Sequence, residues 1–591
     1  MASDGERVVR RGDEPSTPRS ILAHALAACG KVFVTIAIMS GVINVLALTG
    51  PFFMLEVYDR VLPSRSLPTL VGLAVIAVVL YVFYGLLDLF RTRILVRTGA
   101  LLDQAIGPAA YSLLWRSPLR IGSAADPRQS LRDLDQIRSF LSGMGPTAIF
   151  DLPWMPLYIG ICFAFHPLLG VAATVSALIL IIVTLLTEVF VRRPVASIVE
   201  HAGRRAGLAE AAVRNAEVMQ AMGMAPQMQA AYADSNARLL GTQLRAADIG
   251  NGFGVLSKVL RLALQSAILG IGAWLVLRQE ATAGIIIAGS ILTARALAPV
   301  ELALGHWRSF LAARQSWRRL DEALRRFPPE SHPMSLPDPT SSLSVEAVTV
   351  VPPGSRRPAI RGVTFRLKAG NGLGIVGPSG SGKSSLLRAL VGAWVPATGR
   401  VALDGATLDQ WPPTQLGRAI GYLPQDVELF AGSVAENISR FEPSADSGAI
   451  VAAAQAADAH ELIVGQLQGY DAPIGEGGTF LSAGQRQRIG LARALYGNPF
   501  LIVLDEPNSN LDADGEEALT RAILATRRRG GIVILAAHRP STLMTVDLVM
   551  VVTGGHIQAF GPRDQVLSKM VRQPVHSVTP APASQTKPAG R

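Results

Sequence analysis

Six long apolar runs dominate the first half of the chain, and short β-branched runs alternate with helix-like runs in the second half. The long runs cover approximately residues 32–55, 69–90, 146–165, 168–190, 253–277 and 282–304. Each reaches the length of about 20 residues that a helix needs to cross a ~30 Å hydrocarbon core. The pattern therefore predicts a helical membrane domain of six spans over residues 32–318, preceded by a cytoplasmic segment over residues 1–31.

The joints between these runs are unequal, and their charges indicate an orientation. The joints after the second and fourth runs exceed fifty residues each and are rich in arginine, whereas the short joints carry few cations. Arginine and lysine concentrate on the cytoplasmic side of membrane proteins. We therefore expect the long joints and both termini to face the cytoplasm. Because the long joints have a helix-forming polar sequence, we also expect the span helices to extend beyond the membrane.

A few residues interrupt the apolar character of the runs. Gly50 and Pro51 predict a bend or break in the first span, because proline removes a backbone hydrogen bond. Ionisable residues near the span ends can pair or reach the interface with their side chains; these are Asp88, Glu188, Lys258 and Glu301. Arg295 lies more than a turn inside the last run, so a position on a wet path and an ordinary structural role both stay open for it.

The second half begins after a segment rich in proline and serine, which marks a joint between domains. We assign residues 319–342 to this linker. The following alternation of strand-like and helix-like runs predicts an α/β domain over residues 343–570. Residues 571–591 contain few bulky apolar side chains and predict a disordered tail.

Composition favours a membrane protein over several other classes. The chain has 591 residues, and the combination of 49% hydrophobic residues with a positive mean hydropathy is outside the usual soluble class. The formal net charge is +11, but the basic residues are not interleaved with aromatic ones as in surfaces that stack nucleic-acid bases. No nucleic-acid partner is therefore expected. The two cysteines, Cys29 and Cys162, support neither a disulfide framework nor a zinc site.

A phosphate-binding loop lies between a strand-like and a helix-like run of the second half. It matches the pattern GxxxxGK[ST] and comprises Gly377, Pro378, Ser379, Gly380, Ser381, Gly382, Lys383, Ser384 and Ser385. Small residues let backbone N–H groups surround phosphates, and the helix start adds its positive end. We expect Lys383 to reach the β- and γ-phosphates of ATP and the Ser384 hydroxyl to hold Mg²⁺.

The strand-like run FLIVLDEP ends in two adjacent acids, Asp505 and Glu506. Successive side chains of a strand point in opposite directions, so the two acids cannot share one role. Asp505 is the natural partner of Mg²⁺, and Glu506 is the candidate to polarise the attacking water. Together with the upstream phosphate loop, the pair favours a catalytic site over a solvated turn.

With these motifs, residues 343 to about 567 resemble the nucleotide-binding domain of ATP-binding cassette (ABC) transporters. The resemblance implies that Gln425, in GYLPQDVELF, joins Mg²⁺ and senses the membrane domain, and that His538, in ILAAHRPSTL, contacts the γ-phosphate. It also implies that the loop SNLD, which ends at Asp512, lies between paired domains. The segment PIGEGG resembles a loop of exporters and favours export over import.

The family's signature LSGGQ reads LSAGQ at residues 481–485. The resemblance implies a head-to-tail homodimer in which Ser482, Gly484 and Gln485 of one chain complete the ATP site at Lys383 of the other. Ala483 is a departure from the family pattern, and its methyl group costs about 1–2 kcal/mol only if the position requires φ > 0.

A second departure concerns the base of the nucleotide. Family members place an aromatic residue upstream of the phosphate loop to stack on adenine, but VTVVPPGSRRPAI at residues 348–360 contains none. Val351, Pro352, Arg356 and Arg357 are the alternatives for covering the base.

The membrane half narrows the resemblance. Residues 56–70 and 150–170 resemble the permease-ATPases of type I secretion systems, in particular the PrtD-like branch. This implies an ABC exporter fold, with an α-helical six-span transmembrane domain followed by an α/β P-loop nucleotide-binding domain, in the bacterial inner membrane. It implies ATP-driven export of proteins that carry an uncleaved C-terminal signal. The implied partners are a membrane fusion protein, which is a periplasmic adaptor, and a TolC-like outer-membrane protein.

Two other functions stay open from the residues alone. Six spans and this cassette also describe exporters of lipids, peptides or small molecules. An ATP-regulated channel or sensor is a further alternative. Glu506 and His538 speak against a pure sensor, because ATP binding without hydrolysis needs neither residue.

Overall fold

The computed structural model describes residues 21–122, 128–328, 334–537 and 539–572. By its internal contacts the chain divides into two compact units. The first unit comprises Met1–Arg116 and Asp126–Pro329, and the second comprises Ser117–Ala125 and Glu330–Arg591. The second unit thus includes a short segment from the N-terminal half, which the sequence did not predict.

The described part of the first unit is helical. Its helices are α1 (Ile21–Ala28), α2 (Gly30–Leu46), α3 (Thr49–Glu56), α4 (Leu62–Ser64), α5 (Leu67–Ile121), α6 (Gln129–Leu141), α7 (Gly145–Asp151), α8 (Met155–Phe165), α9 (Pro167–Arg214), α10 (Ala216–Ala221), α11 (Ala225–Leu277) and α12 (Ala283–Arg326). A π-helical turn covers Val57–Val61, and a 3₁₀ turn covers Leu152–Trp154.

Six of the described helical segments are long and apolar enough to cross a membrane, which confirms the six predicted spans. They cover residues 30–64, 67–121, 145–165, 167–214, 225–277 and 283–326. Helix α5 has 55 residues, which corresponds to about 80 Å at 1.5 Å per residue. The span helices therefore extend well beyond a hydrocarbon core, as predicted from the long joints.

The first span is interrupted where Gly50 and Pro51 predicted a break. Helix α2 ends at Leu46 and α3 begins at Thr49, so Pro51 lies in the first turn of α3. Proline is tolerated there, because the first N–H groups of a helix have no partner within the helix.

A buried ionic cluster connects the first three spans. Arg91 on α5 donates hydrogen bonds to Ser40 on α2 at 2.9 Å, to Asp88 at 2.7 Å and to Asp151 on α7 at 2.8 Å. Asn44 on α2 donates to the same oxygen of Asp151 at 2.9 Å. Buried charges are costly unless they are paired and hydrogen-bonded. The cluster therefore favours a structural role for Asp88.

The second unit combines two sheets with nine helices in its described residues. The helices are α13 (Lys383–Leu390), α14 (Pro413–Ala419), α15 (Val434–Ile438), α16 (Ser447–Ala456), α17 (His460–Val464), α18 (Ala483–Leu495), α19 (Ala513–Arg528), α20 (Pro540–Leu543) and α21 (Arg563–Arg572). The strands are β1 (Ser342–Val350), β2 (Ile360–Lys368), β3 (Gly372–Val376), β4 (Thr398–Leu403), β5 (Ala406–Thr407), β6 (Ile420–Leu423), β7 (Leu501–Asp505), β8 (Ile532–Ala536), β9 (Leu548–Thr553) and β10 (His556–Pro562).

The larger sheet has the strand order β10-β9-β3-β8-β7-β6 in the described residues, and all neighbours except β10 and β9 run parallel. Every residue of β3, β7 and β8 is buried, as expected for parallel strands that are covered on both faces. The smaller sheet, β2-β1-β4-β5, is antiparallel. Because parallel strands end at one edge, the segments after β3, β6, β7 and β8 lie together, which is where ligands bind in α/β folds.

The boundaries of the predicted linker and tail differ in detail from the helices. Helix α12 continues to Arg326, into the segment assigned to the linker, and α21 continues to Arg572. Residues 573–591 lie outside the described part of the chain, so the disordered tail stays a prediction.

A single arginine ties together three segments of the second unit. Arg440 donates to the carbonyl oxygens of Arg493, Ala494 and Tyr496, where α18 ends, at 3.0 to 3.4 Å. It also donates to Gly417 on α14 and to Ile420 on β6. Burial lowers the pKa of Arg440, and Arg493 adds to the shift. The guanidinium satisfies carbonyl groups that the helix end leaves without partners.

We predict that Arg440→Ala destabilises the second unit by about 2 kcal/mol or more, because the carbonyl groups lose a charged donor. In the purified full-length chain, the midpoint of thermal unfolding is expected to fall by roughly 5 °C. Arg418→Ala is the control, since Arg418 is exposed and forms a surface ion pair with Glu442 at 2.8 Å. Such pairs contribute about 0–1 kcal/mol. Equal shifts for the two variants would contradict the assigned role of Arg440.

Candidate nucleotide-binding and hydrolysis site

The loop between β3 and α13 turns sharply at glycines. Gly377, Gly380 and Gly382 have φ angles of 156°, 77° and 102°, which glycine adopts without steric cost. A Cβ atom on Gly377 would lie 2.1 Å from the carbonyl oxygen of Val552. The ammonium of Lys383 donates to the carbonyl oxygens of Gly377 at 2.8 Å and Pro378 at 3.1 Å. The loop therefore curls around Lys383 at the start of α13, and it lies between a strand and a helix as predicted.

Asp505 is a buried acid with an unusual environment. Its side chain is only 1% exposed, and burial raises its pKa. The Ser384 hydroxyl lies close enough to lower this pKa, and Glu506 raises it further. Both carboxylate oxygens are nevertheless buried without a hydrogen-bond partner of normal geometry among the described residues. An uncompensated carboxylate is costly at such a position, so the site has the chemistry that a divalent cation satisfies.

Burial disfavours the charged forms of both Lys383 and Asp505, so it shifts the pKa values of the two groups in opposite directions. Burial lowers the pKa of the Lys383 ammonium, while Glu506 and Asp505 oppose that shift. The three charged groups therefore share one electrostatic environment at the carboxyl edge of the sheet.

Glu506 leaves strand β7 with a left-handed backbone. Its φ is 50°, and its N–H donates to the carbonyl of Ala536 on β8 at 3.1 Å. This conformation costs a non-glycine residue about 1–2 kcal/mol, and such strain concentrates at functional sites. The Gln425 side chain donates to the Glu506 carboxylate at 3.5 Å. The ends of β6 and β7 therefore bring Gln425 and the acid pair together, while Glu506 stays more accessible than Asp505.

The signature residues form the start of a helix. Ser482 caps α18: its hydroxyl accepts from the Gln485 N–H at 3.2 Å, and the Gln485 side chain accepts from the Ser482 N–H at 2.9 Å. This reciprocal capping box satisfies two backbone donors. Within the described chain, the side chains of Ser482 and Gln485 make no hydrogen bond to the phosphate loop of their own chain. Their predicted contact with nucleotide bound to another chain stays a prediction.

Ala483 is the first residue of α18, is exposed and has a negative φ. Its methyl group therefore strains nothing. The next position is tighter, because a Cβ atom on Gly484 would lie 3.0 Å from the carbonyl oxygen of Asn510.

Asp512 has a structural role that the motif did not predict. It caps α19 by accepting from the Gly515 N–H at 3.0 Å. It also accepts from Arg488 on α18 at 2.6 and 2.7 Å. The Gly515 hydrogen bond and Arg488 lower the pKa of Asp512. The predicted contact between Asp512 and nucleotide stays a prediction.

Sequence reasoning missed two residues next to the signature, Gln487 and Arg488. Gln487 is buried and donates to the carbonyl of Pro507 at 3.0 Å. With the pairing of Arg488 and Asp512, this bond ties α18 to the segment that follows Glu506. The only signal in the sequence was their position in RQR, directly after the signature.

His538 lies outside the described residues, so its role stays a prediction. Arg356 and Arg357 are exposed, and their guanidinium groups form no hydrogen bond or ion pair in the part of the chain that the structure describes. Which side chain covers the base stays open between these residues, Val351 and Pro352.

The family profile described as ABC transporter matches residues 360–509, and the profile described as ABC transporter transmembrane region matches residues 33–299. The chain belongs to the ABC transporter family. This membership confirms the predicted fold class, because the two profiles match the membrane half and the α/β half in the expected order.

Two relatives of this ABC transporter have names that refer to secretion. The type I secretion system ATP-binding protein PrsD of Rhizobium meliloti (strain 1021) is 54% identical over 550 residues, which cover 93% of this chain and 94% of the relative. The cyclolysin secretion/processing ATP-binding protein CyaB of Bordetella pertussis (strain Tohama I) is 31% identical, with coverage of 90% and 75%.

A solved structure of a bacterial Atm1-family ABC exporter with ATP bound superimposes with a TM-score of 0.76 over 92% of this chain and 97% of its own. At 21% identity this likeness shows the fold alone. As an ABC transporter with six spans, the chain is a multi-pass membrane protein that binds nucleotide and couples ATP hydrolysis to transport.

We predict that Ala483→Gly leaves ATPase activity within about twofold of the wild type, because Ala483 carries no strain of the kind that costs 1–2 kcal/mol at φ > 0. Phosphate release by the purified chain measures the effect. Gly377→Ala is the contrasting variant, since its Cβ atom would collide with Val552, and it is expected to lose nucleotide binding. A large rise in ATPase activity for Ala483→Gly would show that the methyl group of Ala483 lowers the activity of the wild-type site.

Proposed function

We propose that this ABC transporter is the ATP-driven inner-membrane exporter of a type I secretion system, which moves proteins with an uncleaved C-terminal signal out of the cytoplasm. The observation that carries the proposal is the end-to-end 54% identity to PrsD, a type I secretion system ATP-binding protein. CyaB and the leukotoxin translocation protein LktB of Mannheimia haemolytica, at 31% and 30% identity, support a protein cargo over a lipid or small molecule.

The arrangement around Lys383 supports hydrolysis of ATP with Mg²⁺. Lys383, together with the N–H groups of the phosphate loop, binds the β- and γ-phosphates. Bound Mg²⁺ would supply charge neutralisation at the phosphates. The Ser384 hydroxyl, Asp505 and Gln425 would hold it, which fits the unpartnered buried oxygens of Asp505. Glu506, more accessible and next to Gln425, orients the attacking water and accepts its proton.

The functional unit is a homodimer in this proposal. Ser482, Gly484 and Gln485 lie at a helix start, which attracts anions through its free N–H groups and dipole. In a head-to-tail pair they meet the γ-phosphate bound by Lys383 of the second chain. Each chain then supplies half of two sites, and the ties through Gln487 and Arg488 connect each signature helix to its own acid pair.

The same relatives support a proposed orientation in the membrane and proposed partner proteins. Both termini and the nucleotide-binding domain face the cytoplasm, in accord with the arginine-rich long joints. A membrane fusion protein and a TolC-like outer-membrane protein would continue the path outward, and the secreted protein is the substrate.

We predict that Glu506→Gln binds ATP with near wild-type affinity but hydrolyses it on the order of 10²-fold or more slowly, because one preorganised catalytic group is lost. Lys383→Ala, by contrast, is expected to lose binding itself. Equilibrium nucleotide binding and phosphate release by the purified chain separate the two effects. Hydrolysis of ATP by Glu506→Gln at the wild-type rate would contradict the assigned role of Glu506.

The same variants test protein export in cells. Cells that carry Glu506→Gln in place of the wild type are expected to lose at least one protein from the secreted fraction, as measured by mass spectrometry of the medium. An unchanged secreted fraction together with an altered lipid composition would favour the lipid-exporter alternative.

We predict that a chain with both Ser379→Cys and Ser482→Cys forms a disulfide-linked dimer in the presence of ATP and Mg²⁺, in a Glu506→Gln background that slows opening. Both positions are exposed, and the native Cys29 and Cys162 are buried. A band of twice the chain mass on non-reducing gels measures the link. Each single-cysteine variant is the control and should stay monomeric. A link formed within one chain, without the larger band, would contradict the head-to-tail arrangement.

A further inference from the structure

Helix α12 is the most buried of the described spans, and α5 is the least. In the most apolar window of each, 56% of α12 is buried but only 6% of α5. Within residues 67–90, the apolar part of α5, most open positions are large and apolar, which suits lipid; they include Val71, Val75, Val78, Val79 and Val82. Within residues 284–305, the apolar part of α12, the exposed positions are instead Arg295, Ala298 and Gly305. We call these three residues the open face of α12.

The open face lies deep in the span. Asp59, in the first short joint, accepts from the Thr282 hydroxyl at 2.5 Å and from the Gly284 N–H at 2.9 Å. These bonds hold the start of α12 at the level of that joint. Arg295 follows Ala283 by twelve residues, which is about 18 Å along the helix. That distance is more than half of a ~30 Å hydrocarbon core.

Arg295 has no hydrogen bond or ion pair among the described residues, unlike Arg91 and Arg261. Asp151 is bound to Arg91 and Asn44, and Glu301 pairs with Arg261 at 2.5 Å. Asp151 and Glu301 therefore already have partners within their own chain.

A second copy of the chain in a dimer does not supply a partner for Arg295 either. A two-fold axis along the membrane normal keeps every residue at its own depth. Glu188 follows Pro167 by 21 residues on α9, about 32 Å along that helix and thus at the far boundary of the core. Among the described carboxylates of the spans, the partner copy therefore brings no free one to the level of Arg295.

An unpaired arginine at this depth is costly against lipid and belongs on a water-filled cavity. We propose that the open face of α12 lines the path of the exported polypeptide and that Arg295 binds carboxylate side chains of the passing segment. Ala298 and Gly305 leave room for a chain beside the guanidinium, and the unpaired positive charge selects anionic groups. This inference rests on the proposed export function for the identity of the ligand, but not for the presence of water.

The first test is accessibility to water, in the full-length chain reconstituted in lipid nanodiscs. Arg295→Cys is expected to react with a water-soluble methanethiosulfonate reagent at least about tenfold faster than Val79→Cys. Val79 is the matched control, because it follows Leu67 by twelve residues on α5, is 48% exposed and lies among large apolar side chains. Cys29 and Cys162 are buried and give little background. Equal rates for the two variants would overturn the proposed water-filled path.

The second test is the preference for anions. With Arg295 present, Ala298→Cys is expected to react at least about threefold faster with an anionic methanethiosulfonate than with a cationic one, because a charge one helical turn away attracts the reagent. Adding Arg295→Gln should abolish this preference. The absence of any preference in the presence of Arg295 would overturn the anion site.

The third test concerns the cargo. Arg295→Gln should lower the amount of secreted protein severalfold while basal phosphate release stays unchanged, and Arg295→Lys should restore secretion. Secretion by Arg295→Gln at the wild-type level would overturn the contact with cargo. Because labelling needs no cargo, a failure of the export function leaves the first two tests intact, so the two failures are distinguishable.

Discussion

Buried charge is the constraint on which the rest of this structure depends. In a medium of low dielectric constant a charge must be paired, hydrogen-bonded or left in contact with water. Arg91 meets this requirement with two carboxylates and a hydroxyl, and Arg440 meets it with the carbonyl groups at a helix end. Asp505 and Arg295 do not meet it within their own chain. These are the two charges for which we propose ligands, a divalent cation at Asp505 and the exported segment at Arg295.

The nucleotide site depends on this constraint through the parallel sheet. The sheet places the segments after β3, β6 and β7 at one edge, so Lys383, Gln425 and the acid pair share one electrostatic environment. The left-handed turn at Glu506 then separates the two acids, so that Asp505 stays buried while Glu506 stays accessible. One acid can therefore hold a cation while its neighbour orients water.

Helix α18 connects this edge to the second half-site. Its start carries Ser482 and Gln485 in a capping box, and its next turn is tied to Pro507 and Asp512 by Gln487 and Arg488. A change at the acid pair is thus coupled to the helix start that faces another chain in the proposed dimer. In the proposed homodimer, these bonds would connect each acid pair to the site that the other chain completes.

The sequence by itself determined the six spans, the α/β domain, the phosphate loop and the acid pair. Each of these depends on local patterns, namely apolar length, the alternation of elements, glycine spacing and the residues that end a strand. The sequence did not decide whether the methyl group of Ala483 strains the backbone. Such a group is harmful only at φ > 0, and the φ angle of Ala483 is set by its position as the first residue of α18. Only the tertiary structure decided that Asp512 caps α19 and pairs with Arg488, that Arg91 is enclosed by three spans and that Arg295 is not. These outcomes depend on which distant segments pack together, and no local pattern contains that information.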